Sequence, residues 1–271
     1  MQQKTRLRAS FLLHGERDTI RGMKLIVGNW KMNPESAKEA EKNIQSIKKT
    51  AKLFPRAKAV LCVPSLYAYL AKKNGMMFGL QDIFYENNGT FTGMISPGMA
   101  HDIGAKYVLL GHSELRSLGE TDMNINKKIK AVLKNHMTPI LCVGEKERDG
   151  KGHYHHIIRD QLHECLKEVP KNWAKEIIIA YEPVWAIGKN ALRAAYPEES
   201  LEMSIFIKRV LSDLFGRKNA EAIRILYGAS VNPKNTEEFL TKGGVDGLLV
   251  GRDSLDPKKF GAILTIANRI K

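Results

Sequence analysis

Short apolar runs rich in β-branched residues alternate with longer amphipathic segments from residue 24 to the end of the chain. The apolar runs predict strands at residues 24–28, 58–63, 76–80, 106–110, 138–143, 176–181, 223–227 and 246–250. Apolar positions at helical spacing predict helices at residues 34–52, 65–74, 97–103, 121–135, 153–169, 197–215, 232–242 and 257–269. Strands that alternate with helices form βαβ units around a parallel sheet. Eight such units in roughly 250 residues predict an α/β protein whose single domain, residues 23–271, is a (β/α)₈ barrel.

A doubly wound open sheet is the alternative architecture for the same alternation. It would need a glycine-rich turn after the first strand, and residues 28–33 (GNWKMN) do not form one. The barrel is therefore the favoured architecture.

Residues 1–22 precede the first predicted strand and are a separate segment. They are polar and basic, and their apolar cluster at residues 11–13 is too short for the core of a signal peptide. Arginines favour an organellar targeting segment, whereas Glu16 and Asp18 argue against one. Because Met23 leads directly into a strand, we expect residues 1–22 to be a disordered extension or to result from a mis-assigned start codon.

The chain is strongly basic, which suits anionic small molecules, nucleic acid or an acidic surface. The 271 residues include 43 Lys+Arg and 29 Asp+Glu, a formal net charge of +14. The positive positions are dispersed along the predicted helices without a nucleic-acid-binding motif, so we expect a lysine-rich surface and no nucleic-acid partner. No apolar run approaches the roughly 20 residues of a membrane helix, so we expect no membrane partner.

Cysteine and histidine usage points to a reduced protein without a metal. The cysteines are Cys62, Cys142 and Cys165. They form no Cys-x-x-Cys pair and have no metal-ligand spacing, which favours the cytoplasm. The histidines at positions 153, 155 and 156 follow a glycine-containing turn and not a strand end. We expect a solvated surface cluster there, and neither a metal nor a cofactor.

The ends of the predicted strands carry groups suited to proton transfer. In a (β/α)₈ barrel, the loops after the strands build the active site at one rim. The first, fourth and sixth strands are followed by Lys31, His112 and Glu182. Glu182 precedes a proline-aromatic-glycine loop, where poor solvation can tune a carboxylate as a general base. The last two strands end in small-residue turns, at residues 228–230 and Gly251, whose backbone N–H groups can bind phosphate.

These groups suit removal of a proton from a carbon beside a carbonyl. Glu182 would take the proton, His112 would hydrogen-bond the carbonyl and enediolate oxygens, and Lys31 would stabilise the negative charge. Residues 113–116 resemble a helix start, whose N-terminus would keep the imidazole neutral. Taken singly, each group has a plainer explanation: an ion-paired carboxylate, a buried histidine, a surface lysine or a turn glycine. Their convergence on one rim favours catalysis.

Six segments resemble the triosephosphate isomerase family and occur in the family's order across residues 23–271. They are GNWKMN (28–33), GHSE (111–114), GETD (119–122), YEPVWAIG (181–188), YGASV (227–231) and GLLVG (247–251). The resemblance implies a cofactor-free enzyme of glycolysis and gluconeogenesis that interconverts dihydroxyacetone phosphate and D-glyceraldehyde 3-phosphate. It also implies a cytoplasmic homodimer.

The family's site residues map onto matching positions of this chain. By resemblance, Glu182 is the base and His112 the neutral electrophile, roles that are the family's established description and are carried over from it. The resemblance assigns substrate binding to Asn29, Lys31, Gly188, Ser230, Gly251 and Arg252, the last four at the phosphate.

The resemblance also implies a mobile lid over the pocket. The lid would run from Pro183 through Trp185 to about residue 194 and would exclude water from the reaction. Ile187 and Leu249 would flank Glu182 and raise its basicity by desolvation.

The lid and the phosphate turns depart from the family pattern. Residues 189–196 separate Gly188 from Pro197, two more than the family has, so we expect a different closed geometry or hinge. Ala229 and Arg252 stand where the family has glycines. The N–H of residue 252 is still available, so phosphate binding should survive with the arginine side chain directed to solvent.

A third departure concerns the dimer. Met94 and Leu115 stand where the family has a glutamate and an arginine that pair across the subunit interface. Losing both exchanges an ion pair for an apolar contact, which is often neutral or stabilising. We therefore expect the dimer to persist, with Thr92 reaching the partner's site near Asn29.

Two rival functions fit parts of the pattern. Another phosphate-binding barrel, such as an aldolase or a decarboxylating synthase, would need a Schiff-base lysine in a strand or further acids, and the strand ends show only Lys31. The other rival is a catalytically dead scaffold or a basic nucleic-acid-binding module. Intact Lys31, His112 and Glu182 argue against a dead scaffold, whereas positive charge clustered on one face would favour nucleic acid.

Overall fold

Eight parallel strands close into a barrel in chain order. The computed structural model describes residues 22–188, 191 and 193–270. The strands are β1 Lys24–Asn29, β2 Ala57–Val63, β3 Phe78–Leu80, β4 Tyr107–Leu110, β5 Thr138–Val143, β6 Ile178–Tyr181, β7 Arg224–Tyr227 and β8 Gly247–Val250. Each strand pairs with the next, and β8 pairs back with β1. The predicted (β/α)₈ barrel is confirmed, and each predicted strand lies within two residues of an observed one.

Helices follow the strands on the outside of the barrel. The α-helices of the described residues are α1 Ala37–Ala51, α2 Ala68–Lys73, α3 Pro97–Asp102, α4 Ser113–Ser117, α5 Asp122–Lys134, α6 His153–Cys165, α7 Pro197–Phe215, α8 Arg217–Ala222, α9 Thr236–Lys242 and α10 Pro257–Arg269. Short 3₁₀ turns lie at Ser65–Tyr67, Lys171–Glu176, Val184–Ala186 and Arg252–Ser254.

Capping side chains set where several helices begin. The Ser36 side chain accepts the Glu39 N–H, and the Thr121 side chain accepts the Asn124 N–H. The predicted helix over 34–52 therefore begins only at residue 37. The predicted helix over 232–242 begins at Thr236, because Asn232 and Asn235 first form a turn through their side chains.

The strands are continuous apolar runs because both of their faces are buried. Side chains such as Leu25 and Val27, two residues apart, point into the barrel with Val60, Leu109 and Ile140. A second apolar layer lies between the strands and the helices. Since the barrel interior is filled, a ligand can bind only beyond the strand ends.

The N-terminal extension predicted for residues 1–22 lies, apart from Gly22, outside the described residues. Within residues 22–188, 191 and 193–270, no helix combines the length and apolar character needed to cross a bilayer.

Candidate active site

A pocket of about 580 Å³ opens at the carboxyl ends of the strands. Its walls include ten of the twelve predicted site residues: Asn29, Lys31, His112, Glu182, Ile187, Gly188, Ser230, Leu249, Gly251 and Arg252. The other two, Pro183 and Trp185, lie in the loop directly after Glu182 and do not line the pocket. The strand-end positions predicted from the sequence thus come together around one opening.

Glu182 lies directly after β6 and is 2% exposed. Its backbone N–H donates to the Val143 carbonyl at 2.8 Å, which joins the ends of β5 and β6. Its carboxylate Oε2 accepts the Ser113 N–H at 3.3 Å, and its Oε1 lies 3.3 Å from His112 Nε2. The carboxylate is therefore removed from bulk water and held beside the imidazole.

A buried thiol also lies near the Glu182 carboxylate. Cys142, in β5, is close enough for the charge of Glu182 to act on its thiol. Burial, and then the negative charge of Glu182, hold the pKa of the Cys142 thiol well above its usual range. Cys142 thus stays a neutral thiol and does not become a nucleophile.

His112 is the N-cap residue of α4, the short helix predicted to follow it. The Glu114 N–H donates to His112 Nδ1 at 3.2 Å. A ring nitrogen that accepts a hydrogen bond carries no proton, so a neutral ring has its proton on Nε2. That N–H faces Glu182 and the pocket, as a donor to a substrate carbonyl must.

Lys31 adopts an unusual backbone conformation, with φ of +53°. Few residues other than glycine adopt the left-handed region, and the surroundings must support it. The Lys31 N–H donates to Asn29 Oδ1 at 3.0 Å, and its carbonyl accepts from Gln81 Nε2 at 2.9 Å. Its ammonium pairs with Glu114 Oε1 at 2.6 Å. Asn29 and Gln81 thus position the lysine at the pocket.

Two of these contacts were missed by sequence reasoning. Gln81 and Glu114 were given no role in the sequence analysis. The signal that could have singled them out is their position, since each follows a strand whose end reaches the same rim as Lys31.

The turns after β7 and β8 leave open space at the far side of the pocket. Among the described residues, and leaving aside the chain neighbours, no heavy atom lies within 4 Å of the position that a Cβ would take on Gly188 or Gly251. Ser230 Oγ donates to the Ala186 carbonyl at 2.9 Å and so connects the loop after β7 to the first turn of the predicted lid. Arg252 is exposed at the edge of the same opening.

Leu249 lies close to Glu182, as the resemblance implies. A Cβ on Gly228 would lie 3.2 Å from Leu249 Cβ and 3.3 Å from Glu182 Cγ, so the glycine separates the two side chains. Ile187 lines the same pocket from the lid side. Both apolar side chains therefore bound the space around the carboxylate.

The first turn of the lid is anchored by a buried carboxylate. Glu145 Oε1 accepts from Trp185 Nε1 at 2.7 Å and from the Tyr181 hydroxyl at 2.8 Å. Burial raises the pKa of Glu145, and these two hydrogen bonds oppose the rise. Of the lid insertion predicted at 189–196, Lys189, Asn190 and Leu192 lie outside the described residues.

A charged cluster that the sequence did not reveal lies beside the end of β3. Lys128 Nζ, on α5, contacts both carboxylate oxygens of Asp82 at 2.8 Å and also pairs with Glu120. Burial raises the pKa of Asp82 to about 6, although Lys128 opposes the rise.

Two histidines near residue 153 lie beside carboxylates. His153 Nδ1 lies 2.8 Å from Asp149, and His155 Nε2 lies 3.3 Å from Glu202. Across the part of the chain that the structure describes, no group of three or more acidic, histidine or cysteine side chains could hold a metal ion.

A closed (β/α)₈ barrel with a carboxylate, a histidine and a lysine at one opening is the arrangement of an isomerase that moves protons beside a carbonyl. Comparison with known proteins makes the class specific. The family model described as triosephosphate isomerase matches residues 24–267.

Named relatives agree with the family match. The triosephosphate isomerases of Dictyoglomus turgidum and Dictyoglomus thermophilum are each 39% identical over 247 residues, which cover 89% of this chain and 98% of those proteins. That of Moorella thermoacetica is 39% identical over 249 residues, covering 89% of this chain and 97% of that protein. This chain belongs to the triosephosphate isomerase family, and the aldolase, synthase and scaffold alternatives are set aside.

Proposed function

We propose that Glu182, His112 and Lys31 carry out the reaction of this chain, the interconversion of dihydroxyacetone phosphate and D-glyceraldehyde 3-phosphate. Glu182 takes a proton from the carbon beside the carbonyl; the electron pair of that C–H bond forms the C=C bond of an enediolate, and the π pair of the carbonyl moves onto its oxygen. A proton then passes from the neighbouring hydroxyl oxygen to the former carbonyl oxygen by way of His112, and the carboxylic acid of Glu182 returns its proton to the carbon that was the carbonyl carbon, so no atom is gained or lost.

The observation that carries this proposal is the hydrogen bond from the Glu114 N–H to His112 Nδ1. It leaves the proton of a neutral ring on Nε2, 3.3 Å from the Glu182 carboxylate. A substrate oxygen that took the place of the Glu182 carboxylate at His112 Nε2 would receive the hydrogen bond from His112, with Glu182 directed at the adjacent carbon. The Lys31 ammonium adds positive charge for the enediolate and the phosphate.

The remaining predicted residues hold the substrate and exclude water. Asn29 supports Lys31, and the turns at Gly188, Ser230, Gly251 and Arg252 offer backbone N–H groups to the phosphate. The lid from Pro183 to about residue 194 covers the pocket, with Ile187 and Leu249 next to Glu182.

A coupled assay that consumes dihydroxyacetone phosphate with NADH tests the assignment of the base. Glu182→Asp withdraws the carboxylate by one methylene, so we expect kcat to fall on the order of 10²-fold or more. Glu237→Asp on the exposed face of α9 is the matched control and should keep full activity. Equal kcat for the parent and Glu182→Asp would refute the role of Glu182.

We propose that the chain is a homodimer. Large apolar side chains are exposed in the segments that follow β1, β2 and β3: Met32, Leu66, Phe91 and Met94. Because the loops after parallel strands emerge at one rim, these side chains share one side of the barrel. An exposed apolar surface of this kind is suited to a second copy, whose Thr92 would approach Asn29.

Sedimentation velocity at micromolar concentration tests the dimer. Met94 is 55% exposed, and Met94→Glu would bury an unpaired charge in the interface and shift the protein towards monomer. Leu53→Glu is the control, because Leu53 is 69% exposed and lies before β2, at the opposite rim. A monomeric parent protein would contradict the proposal.

We place the protein in the cytoplasm because Cys62, Cys142 and Cys165 are buried free thiols. Free thiols are usual where glutathione keeps proteins reduced. Localisation of a tagged full-length chain by microscopy tests this, and accumulation in an organelle would contradict it.

A further inference from the structure

Arg193 stacks on two aromatic rings at the C-terminal end of the lid. Its guanidinium carbon lies 4.6 Å from the centre of the Trp185 ring and 5.0 Å from that of Tyr196. Trp185 is 6% exposed and belongs to the first turn of the lid, whereas Tyr196 precedes α7. One cation therefore contacts both ends of the lid.

Arg193 is also fixed by a bidentate ion pair. Its Nη1 donates to Glu199 Oε2 at 2.9 Å, and its Nη2 donates to Glu199 Oε1. Glu199, in the first turn of α7, also accepts the Tyr196 N–H at 2.8 Å. The hydrogen bonds from Arg193 are the main reason that the pKa of Glu199 lies below its usual range. The arginine is thus attached firmly to α7 and holds Trp185 by stacking.

The pocket is open in the arrangement that contains these contacts. The Lys31 side chain is 32% exposed, and Gly188, three residues after Trp185, is exposed as well. We expect the turn at Val184–Ala186, which carries Trp185, to shift when Gly188 approaches a bound phosphate. Because Arg193 is paired with Glu199 on α7, we expect its guanidinium to stay with α7 and the stacking on Trp185 to be lost.

Building on the proposed lid and its role in the isomerase, we infer that Arg193 is a positioning residue that holds Trp185 in the open arrangement. A contact made only in the open state opposes ligand binding by its own free energy. The free energy of a cation–π contact at a partly exposed site changes an equilibrium constant by about two- to fivefold, so loss of the contact should tighten ligand binding by that factor. Arg193, which occurs within the lid insertion of this chain, therefore sets substrate affinity without contacting the substrate.

Arg193→Gln tests this inference because glutamine has no charge to stack on indole. We expect KM, and the Kd of the unreactive probe glycerol 3-phosphate measured by calorimetry, to fall about two- to fivefold. In protein labelled with 5-fluorotryptophan, the ¹⁹F signal of Trp185, assigned with Trp185→Phe, should move in the free variant towards its ligand-bound position. The signals of Trp30 and Trp173 should stay in place.

Two further variants separate the contact from charge alone. Arg193→Lys keeps the charge without the planar fork, so its Kd should be intermediate. Arg217→Gln removes an exposed ion pair with Glu221 on α8 and should leave both Kd and KM unchanged.

An unchanged or raised Kd in Arg193→Gln, with the Trp185 signal in its original place, would overturn the inference. This result can be distinguished from one that refutes the proposed catalytic site. A folded parent protein without isomerase activity, or full activity in Glu182→Asp, would refute the proposed catalytic roles. An active parent that depends on Glu182, with Arg193→Gln indistinguishable from it, would refute the role of Arg193 alone.

Discussion

Gly144 at the end of β5 should be indispensable for the placement of Glu182. A Cβ on Gly144 would lie 1.8 Å from the Glu182 carbonyl oxygen and 2.8 Å from its carbonyl carbon. Cβ atoms essentially never approach another heavy atom closer than 3.0 Å. In Gly144→Ala the two backbones must therefore separate by about 1 Å at this point.

The surroundings of Gly144 direct that displacement onto Glu182. The Gly144 N–H donates to Gln161 Oε1 at 2.9 Å, and its carbonyl accepts from Gln161 Nε2 at 3.0 Å. These two bonds attach Gly144 to α6. On the other side, the Glu182 N–H bonds the Val143 carbonyl at 2.8 Å. Alanine must either break these bonds or push the proposed base away from the pocket.

Both effects have an expected size. A displacement of about 1 Å of a reacting group costs roughly 10²-fold in rate, so kcat should fall by about that factor. Overpacking at a fixed backbone costs about 1–3 kcal/mol in the free energy of unfolding. KM should change little, because the turns at Gly188 and Gly251 are not displaced.

Steady-state kinetics in the NADH-coupled assay, together with urea unfolding, would measure both quantities. Gly150→Ala is the matched control, since its Cβ position has no heavy atom of a described residue within 4 Å apart from its chain neighbours. If kcat and stability of Gly144→Ala stayed close to those of the parent protein, the close approach of the two strand ends would not position Glu182, and the reasoning would be wrong.

Three further predictions concern stability and can be read by urea unfolding. Burial raises the pKa of Asp82 to about 6. Between about pH 4 and 6 the folded state therefore binds more protons than the unfolded chain, and the free energy of unfolding falls as the pH rises through this window and Asp82 ionises. The free energy of unfolding of Asp82→Asn, measured relative to that of the parent, should therefore increase by about 1 kcal/mol as the pH rises from about 4.5 to about 7.5. This value is reduced for solvent screening because the Asp82 side chain is 35% exposed. A variant-minus-parent difference that does not change with pH would contradict this. Gly247→Ala should lose about 3 kcal/mol or more in the free energy of unfolding, because its Cβ would lie 1.9 Å from the Leu25 carbonyl oxygen where β8 pairs with β1 and closes the barrel. A variant as stable as the parent would show that β1 and β8 can separate. Gly98→Ala in α3 should instead gain about 0.5–1 kcal/mol in the free energy of unfolding, because the one contact of its Cβ position with described residues, outside the backbone of its own helix, is Ser96 Oγ at 3.8 Å. A loss of stability would indicate strain in that turn.

The barrel was predictable because few residue types are tolerated in its strands. A strand buried on both faces must be apolar throughout, and eight such runs separated by amphipathic segments fit few topologies. The topology then placed Lys31, His112 and Glu182 at one rim. Helix ends were less predictable: the helix expected over 153–169 ends at Cys165, and Glu168 has a left-handed backbone with φ of +57°.

Contacts between residues that are far apart in the sequence could not be predicted. The bond from Gln81 to the Lys31 carbonyl spans 50 positions, and the proximity of Cys142 to Glu182 depends on the register of β5 against β6. The same holds for Lys128 between Asp82 and Glu120. Sequence patterns show which face a residue occupies, whereas these contacts depend on shear and tilt of the closed barrel.

Burial explains why the departures from the family pattern are compatible with the same chemistry. Glu182 and His112 are buried and each makes several hydrogen bonds, so a substitution would leave unpaired groups in a region without water. Arg252 and Arg193 are exposed, and Arg193 contacts Trp185 of the lid and Glu199 of α7. We therefore expect changes at these two positions to act on substrate binding and on the motion of the proposed lid, and not on the proton transfer. Affinity for the phosphate should therefore be the property in which this chain differs most from its relatives.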